Sequence, residues 1–502
     1  MKAELRDKVL VIPIMLLFVY LLFRLVDTSA MINNFPFDYA NDLSAHLAKL
    51  FFLNEYGVHE VVPYWYNGFN YNLFQSYPPG YYYAALPLYK ILGNVQLATY
   101  VFLLLIYIFG FVAVYFLMRD ISKIKRIALY LFFFANPIAI GYLLRLGKLP
   151  EITGWLLNLI IFGILIYYKD RPLDRRFLFF IPVYSASLLS NVSSFIVMSP
   201  LIFGFFLMKS KKEKIYIALS AVATLVITSF WWIPFYLSSF KSSLGSEAKY
   251  TYWLIENAPN TFFTFTMDKL TTFVTSSLLI ILFYFYIRNK PKKELLLFLP
   301  IVIEAFLILT KIIVYFPVYN RPPPDTFNIG FILIASYFFL ATDYPERIRK
   351  MMSSSLGIVS FSVIILLITF TSLEITPTYP RLGSIERETI GLLPFVEGNF
   401  IVLEDNVGTY GSSYSRAYYS YAPIYYNITT ISGWIDQMLL EKDAEQINKL
   451  LNGYTEMSSE EILERARNLH VGSIILYDED CARMEEASPI VKKTEHVCLI
   501  YT

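Results

Sequence analysis

Charge is what this sequence has least of. Only 16% of its 502 residues are Asp, Glu, Lys or Arg, where a soluble domain carries about 25%. That shortage argues against a chain solvated on every side. The net charge is +2, so no bulk electrostatic case for a nucleic-acid partner arises. Cysteine is nearly absent. Cys481 and Cys498 are the only two; they show no zinc spacing, and a disulfide or two separate thiols are both open readings. No internal repeat is evident.

Apolar and aromatic residues are abundant instead, at 56% and 18% of the chain. They gather in runs of about 15–24 residues separated by charged clusters, the pattern of helices crossing a hydrocarbon core about 30 Å thick. Only helices or closed barrels satisfy their backbone groups there, and the runs lack a barrel's strict alternation. The expected spans are 9–26, 95–118, 127–144, 151–168, 176–190, 193–208, 214–237, 271–288, 294–316, 326–343 and 352–373. The sequence therefore reads as an α-helical polytopic membrane protein of about eleven spans.

Charge sets the orientation. Lys2, Arg6 and Lys8 precede the first span, and every second linker after it is basic, beginning with Arg119, Lys123, Lys125 and Arg126. By the positive-inside rule these linkers and the N-terminus are cytoplasmic. An odd number of spans puts the C-terminus outside. Two domains are expected: a transmembrane domain, 1–374, with a first outer loop at 27–94, and an extracytoplasmic α/β domain, 375–502. The first span reads as an uncleaved anchor, because Arg24 and Asp27 interrupt the approach to the small residues Thr28-Ser29-Ala30.

The first outer loop is too long for a simple connector. Residues 41–54 read as an amphipathic helix, with Leu43, Leu47 and Leu50 on one face and Asp42, His46 and Lys49 on another. An aromatic stretch follows, then Tyr77-Pro78-Pro79-Gly80, then a run at 81–92 that is apolar but too short to span. Beyond residue 375, stretches at 400–403, 473–477 and 497–501 look like buried strands, and 439–451 and 459–469 like helices. The Tyr-rich stretch 410–426 reads as a loop platform. Asn191 and Asn427 begin glycosylation sequons.

Several residues have the chemistry for a site. Asp42 and Asp38 are carboxylates placed to act as a general base on an acceptor hydroxyl, and His46 lies one turn on from Asp42. The competing reading makes Asp38 a helix cap and the Asp42–Lys49 face a solvated one. Arg145, Lys148 and Glu151 fall on a tight turn that Gly147 and Pro150 define. Outer cations run against the positive-inside trend. A phosphate-bearing ligand would account for them, as would cations favoured at a helix C-terminus and snorkelling to headgroups. Arg321 is a further outer cation in a proline-stiffened loop. Glu304 and Lys311 lie on one face of an apolar run, where they would pair with other helices or line a cavity. Trp231-Trp232-Ile233-Pro234 reads as an interface anchor.

The pattern Asp42…His46…Trp65…Gly68…Phe74…Tyr77-Pro78-Pro79…Tyr82 resembles that of GT-C-type membrane glycosyltransferases. More narrowly, it is similar to the membrane proteins labelled 6-pyruvoyl-tetrahydropterin synthase-related, although nothing in the sequence suggests pterin chemistry. Arg145-Leu-Gly-Lys148-Leu-Pro-Glu151, Ser229-Phe-Trp-Trp-Ile-Pro234 and an outer α/β domain fit as well, so the resemblance covers most of the chain. It implies a transferase moving a sugar from a polyprenyl phosphate, with inversion, to a glycan, lipid or protein acceptor. The base would fall on Asp42, with Asp38 as its neighbour. Arg145, Lys148 and Arg321 would meet the lipid phosphate, with His46 and Glu151 as further substrate-binding groups. Related sequences carry His where this chain has Asn191. The first loop has no Asp-x-Asp, so a metal-dependent mechanism is not supported, and no cofactor is implied. Two other classes compete: a transporter or flippase of a lipid-linked or amphipathic substrate, and a non-catalytic membrane assembly protein.

Overall fold

Every one of the eleven expected apolar runs carries helix. The computed structural model describes residues 2–35, 42–57, 62–66, 74, 77–239, 267–288, 290, 291–310, 312–315, 324–403, 413–433, 446, 447, 449–451 and 453–502. Among them, six helices are long and apolar enough to cross a membrane, and two bent pairs bring the number to eight. Several of the expected runs are shorter or more broken than their hydropathy suggests. The run 127–144 divides into α5 (Lys123–Phe134) and α6 (Pro137–Leu144), because Asn136 caps the second helix through Ala139 N–H at 2.9 Å and Pro137 begins it. The run 176–190 is a 3-10 turn followed by an eleven-residue helix, α8 (Phe180–Ser190). Within 214–237 the helices Lys211–Ile227 and Ser229–Ser239 meet at a break near Thr228, bent by 67°.

The first helix, α1 (Lys2–Asn33), runs through Thr28-Ser29-Ala30 without interruption. Its two charges are buried and joined. Arg24 Nη1 lies 2.7 Å from Asp27 Oδ2, and Arg24 also donates to the carbonyls of Ser372 at 2.7 Å and Pro377 at 3.0 Å. Asp27 accepts from the Tyr379 amide at 2.7 Å. The first helix and the end of the helix Ser355–Ile375 are thus locked by one hydrogen-bonded ion pair, which is how a buried charge is tolerated. The opposite face of α1 exposes Met15, Val19 and Phe23, an apolar surface suited to lipid.

The centre of the bundle is α7 (Leu149–Tyr168), buried along nearly its whole length. Small residues let neighbours approach it closely. A Cβ on Gly154 would stand 2.4 Å from Ser194 Oγ, and one on Gly163 would stand 2.8 Å from Leu117. Asn158 donates to the Ser194 carbonyl at 3.0 Å. Asn191, one of the two sequons, is buried and caps α9 (Val192–Met208) through the Ser194 amide at 2.7 Å.

The C-terminal region holds a four-stranded sheet in the order β1-β2-β4-β3, from β1 (Asn399–Val402), β2 (Val471–Tyr477), β3 (Ile490–Lys493) and β4 (Val497–Tyr501). The pair β1–β2 is parallel and the other two pairs are antiparallel. Helix Ser459–Asn468 covers the expected 459–469. The Tyr-rich stretch is helix over Ser413–Tyr426, not a loop platform; Tyr418 and Tyr419 are buried against the sheet core, and that burial overrides the ring's modest helix propensity. Cys481 and Cys498 form a disulfide. Most of the helix expected at 439–451 lies outside the described residues.

Candidate functional site

The turn between α6 and α7 is a backbone device. Gly147 adopts φ +64°, its amide donates to the Leu143 carbonyl at 3.0 Å, and Pro150 opens α7. A Cβ on Gly147 would lie 2.4 Å from the Leu43 nitrogen, so only glycine lets the first-loop helix α2 (Leu43–Tyr56) dock there. The Asp42 amide donates to the Leu146 carbonyl at 2.9 Å. The carboxylate-bearing end of the loop helix and the cation-bearing turn are therefore tied through their main chains.

Asp42 occupies the N-cap position, and its carbonyl accepts from the His46 amide at 3.1 Å. Its side chain makes no capping bond. The structural reading of an acidic N-cap therefore does not account for this carboxylate.

The face of α2 carrying Asp42, His46 and Lys49 is not solvated. His46 is 1% exposed and Lys49 0%, because α3 (Gly80–Leu92) and its lead-in cover them. His46 Nδ1 lies 2.7 Å from Tyr82 Oη. The Lys49 Nζ stands 3.9 Å from the centre of the Tyr77 ring, a cation–π contact. The order Tyr77-Pro78-Pro79-Gly80 earns its spacing here: Gly80 begins α3 against the end of α8, where a Cβ would be 2.7 Å from the Leu189 carbonyl carbon. Trp231 fixes the same segment from the other side. Its indole donates to the carbonyls of Phe74 at 2.8 Å and Tyr77 at 3.1 Å, and the ring is buried. It is a brace for Tyr77 rather than the interface anchor its position suggested.

The electrostatics bind these groups into one cluster. Burial holds His46 well below the usual imidazole range, and the charges of Lys49 and Lys148 push it the same way. Burial also holds Lys49 well below an ordinary lysine, with Asp42 opposing. Tyr77 is pushed up by burial first, then by Asp42, Glu151 and Tyr81. Lys148 Nζ is 3.7 Å from Glu151 Oε1 across the first turn of α7.

The structure thus assembles Asp42, His46, Lys148 and Glu151 in one place and adds Lys49, Tyr77 and Tyr82, which the sequence did not single out as site residues. Arg145 is half-buried and caps α6, three residues before Lys148. Asp38 and Arg321 lie outside the described residues. Chemically, the cluster offers one carboxylate at a helix start, a neutral imidazole, a proton-bearing phenol and several cations, arranged around a protected, aromatic-lined corner.

No protein-family model matches the chain, and no curated protein does. Solved structures do. The archaeal oligosaccharyltransferase AglB from Archaeoglobus fulgidus, in complex with an inhibitory peptide and a dolichol-phosphate, is similar with a TM-score of 0.53 and 12% identity, over 94% of this chain and 70% of AglB. The arabinofuranosyltransferase AftD from Mycobacteria gives 0.55 and 12% identity, over 97% of this chain, which spans only 39% of AftD. ArnT from Cupriavidus metallidurans in the apo state gives 0.52 and 12% identity over 97% of each chain. This chain shares their fold, the GT-C fold to which the first-loop pattern pointed.

Proposed function

We propose that this chain is a membrane glycosyltransferase that moves a sugar from a polyprenyl-phosphate donor to an acceptor hydroxyl on the outer side. The observation that carries the reading is the backbone tie between Asp42 and the Leu146–Lys148 turn. It supports a site in which a carboxylate stands beside cations able to meet a phosphate. The dolichol-phosphate bound to AglB supports a lipid phosphate donor.

In the proposed step, Asp42 takes the proton of the acceptor hydroxyl. The hydroxyl oxygen attacks the anomeric carbon from the face opposite the phosphate, the carbon–oxygen bond to the phosphate breaks, and the lipid phosphate leaves with the electron pair. Lys148 and Arg145 stabilise that developing charge, and the product is inverted. Glu151 holds Lys148 on the turn until phosphate competes for it. His46 stays neutral through burial and serves as a hydrogen-bonding group toward substrate. Arg321 is proposed as a further phosphate contact and Asp38 as a second carboxylate of the loop. The eleven-span topology, cytoplasmic N-terminus, and division into 1–374 and an extracytoplasmic 375–502 belong to the same proposal. The membrane is that of the cell envelope, and the acceptor is a glycan, lipid or protein.

The test is a transfer assay on purified protein with a panel of polyprenyl-phosphate sugars. Asp42→Asn, expressed and folded as wild type, is expected to lose transfer by about 100-fold or more. Undiminished transfer would remove Asp42 as the base.

A further inference from the structure

Glu304 has no place in the cluster just described. It is 3% exposed in the apolar helix Lys292–Leu309, and among the described residues neither carboxyl oxygen has a hydrogen-bond partner. A buried polar group without a partner destabilises its surroundings, and an ionisable group in a membrane helix marks a functional position by default. Glu304 lines a cavity of about 400 Å³ whose other lining residues are all apolar.

Two features of the sequence shape that cavity. The helix Lys292–Leu309 and α9 touch backbone to backbone at Gly204, where a Cβ would stand 2.0 Å from the Leu297 carbonyl oxygen. The cavity opens beside that contact, at Pro200 of α9 and Pro300 of its partner. A proline inside a helix removes one backbone hydrogen bond; Ser199 Oγ takes up the Ile196 carbonyl at 2.7 Å.

The rim faces outward. Phe203 is 55% exposed and Ile303 47%, an apolar surface suited to lipid. From Leu296 to Leu307 the lining follows twelve residues of helix, about 16 Å, which fits a chain rather than a headgroup. Glu304 stands toward one end of that run. Among the described residues the lining offers one polar group, so it suits a polar donor on an apolar chain.

We propose that this groove binds the chain of a membrane lipid whose hydroxyl group donates to Glu304. The inference rests on the proposed eleven-span topology, in which both helices cross the membrane, and not on the transfer reaction, so loss of transfer and loss of this groove are distinguishable.

The experiment uses the full chain in phosphatidylcholine vesicles and two photoreactive probes. One is a long-chain primary alcohol with a diazirine in its tail; the other is its methyl ether, which lacks only the donor. Mass spectrometry of the peptide carrying residues 292–309 reads the labelling. The alcohol is expected to label wild type about tenfold more than the ether. Glu304→Gln keeps an acceptor and part of that preference, Glu304→Leu loses it, and Leu299→Trp, which fills the groove, lowers labelling by both probes. Equal labelling of wild type by alcohol and ether overturns the proposal, as does a preference that survives Glu304→Leu. So does a Phe203→Cys cross-link between two copies that blocks both probes, which would assign the groove to a second chain.

Discussion

Two polar clusters stand at different places in this bundle, and they are built on different terms. One ties the basic linkers together. Lys169 lies 3.8 Å from Asp120, 3.6 Å from Glu294 and 3.4 Å from Tyr337 Oη. Tyr337 donates to Asp120 at 2.5 Å, and Tyr286 donates to Glu294. Nearby, Lys209 donates to the carbonyls of Tyr168 and Arg171 at 2.6 Å each and pairs with Glu213 at 3.5 Å. Each cation there is matched by carboxylates, carbonyls and phenols, and five separate segments are stapled. The other cluster, around Asp42, places Lys49 over the Tyr77 ring and pairs Lys148 with Glu151. The same residue types make a staple where each lysine meets several carboxylates, carbonyls and phenols, and a candidate site where aromatic rings cover them instead. The surroundings, rather than residue type alone, separate the two.

The sharpest way to break the comparison is at Gly147. Gly147→Ala places a Cβ against the Leu43 backbone and forces alanine to a left-handed conformation that costs roughly 1–2 kcal/mol by itself. Transfer is expected to fall further than Tm, since the docking of α2 is lost before the bundle is. An activity assay beside a thermal melt separates the two effects.

Exchanging one lysine from each cluster comes next. Lys169→Met leaves Glu294 buried without its cation, so Tm is expected to drop by an amount reflecting about 3 kcal/mol. Activity per folded molecule should hold. Lys148→Met is expected to do the reverse, leaving Tm near wild type and lowering kcat. If both lysines moved stability alone, the distinction between staple and site would collapse.

A pH series sharpens the same point. The folded His46 binds its proton less readily than the unfolded one, so the unfolded chain takes up protons first as pH falls. Stability from this group is complete above about pH 6.5 and is lost below it, as pH falls toward the folded value. His46→Gln is expected to flatten that acid limb in a melt-versus-pH experiment. The smallest effect is expected from Trp231→Phe. It removes one indole donor to the Phe74 and Tyr77 carbonyls, a loss of roughly 1 kcal/mol, read as a modest rise in KM.

Local pattern made much of this legible before the structure. The apolar runs marked every span-like helix, 41–54 read as helix, and Gly147 and Pro150 marked their turn. Three of four strands were visible as apolar runs. The fourth, Ile490–Lys493, carries two lysines on an edge and has no such signature. Periodicity showed that Asp42, His46 and Lys49 share a face but not what covers it. That cover comes from Tyr77 and Tyr82, more than 25 positions away, and from Trp231, further still. Likewise, Asn136-Pro137 offered a break that an unbroken hydropathy run concealed. Contacts between distant segments decide these points, and no single window of sequence holds them.

The bond between Cys481 and Cys498 joins the helix Asp478–Glu485 to β4. Such bonds persist where thiols are not continually reduced. The pair is therefore a compass for the whole chain. In intact cells, resistance of both sulfurs to an alkylating reagent until reductant is added would report which side of the membrane the last strand was made on, with no fusion tag and no cut in the chain.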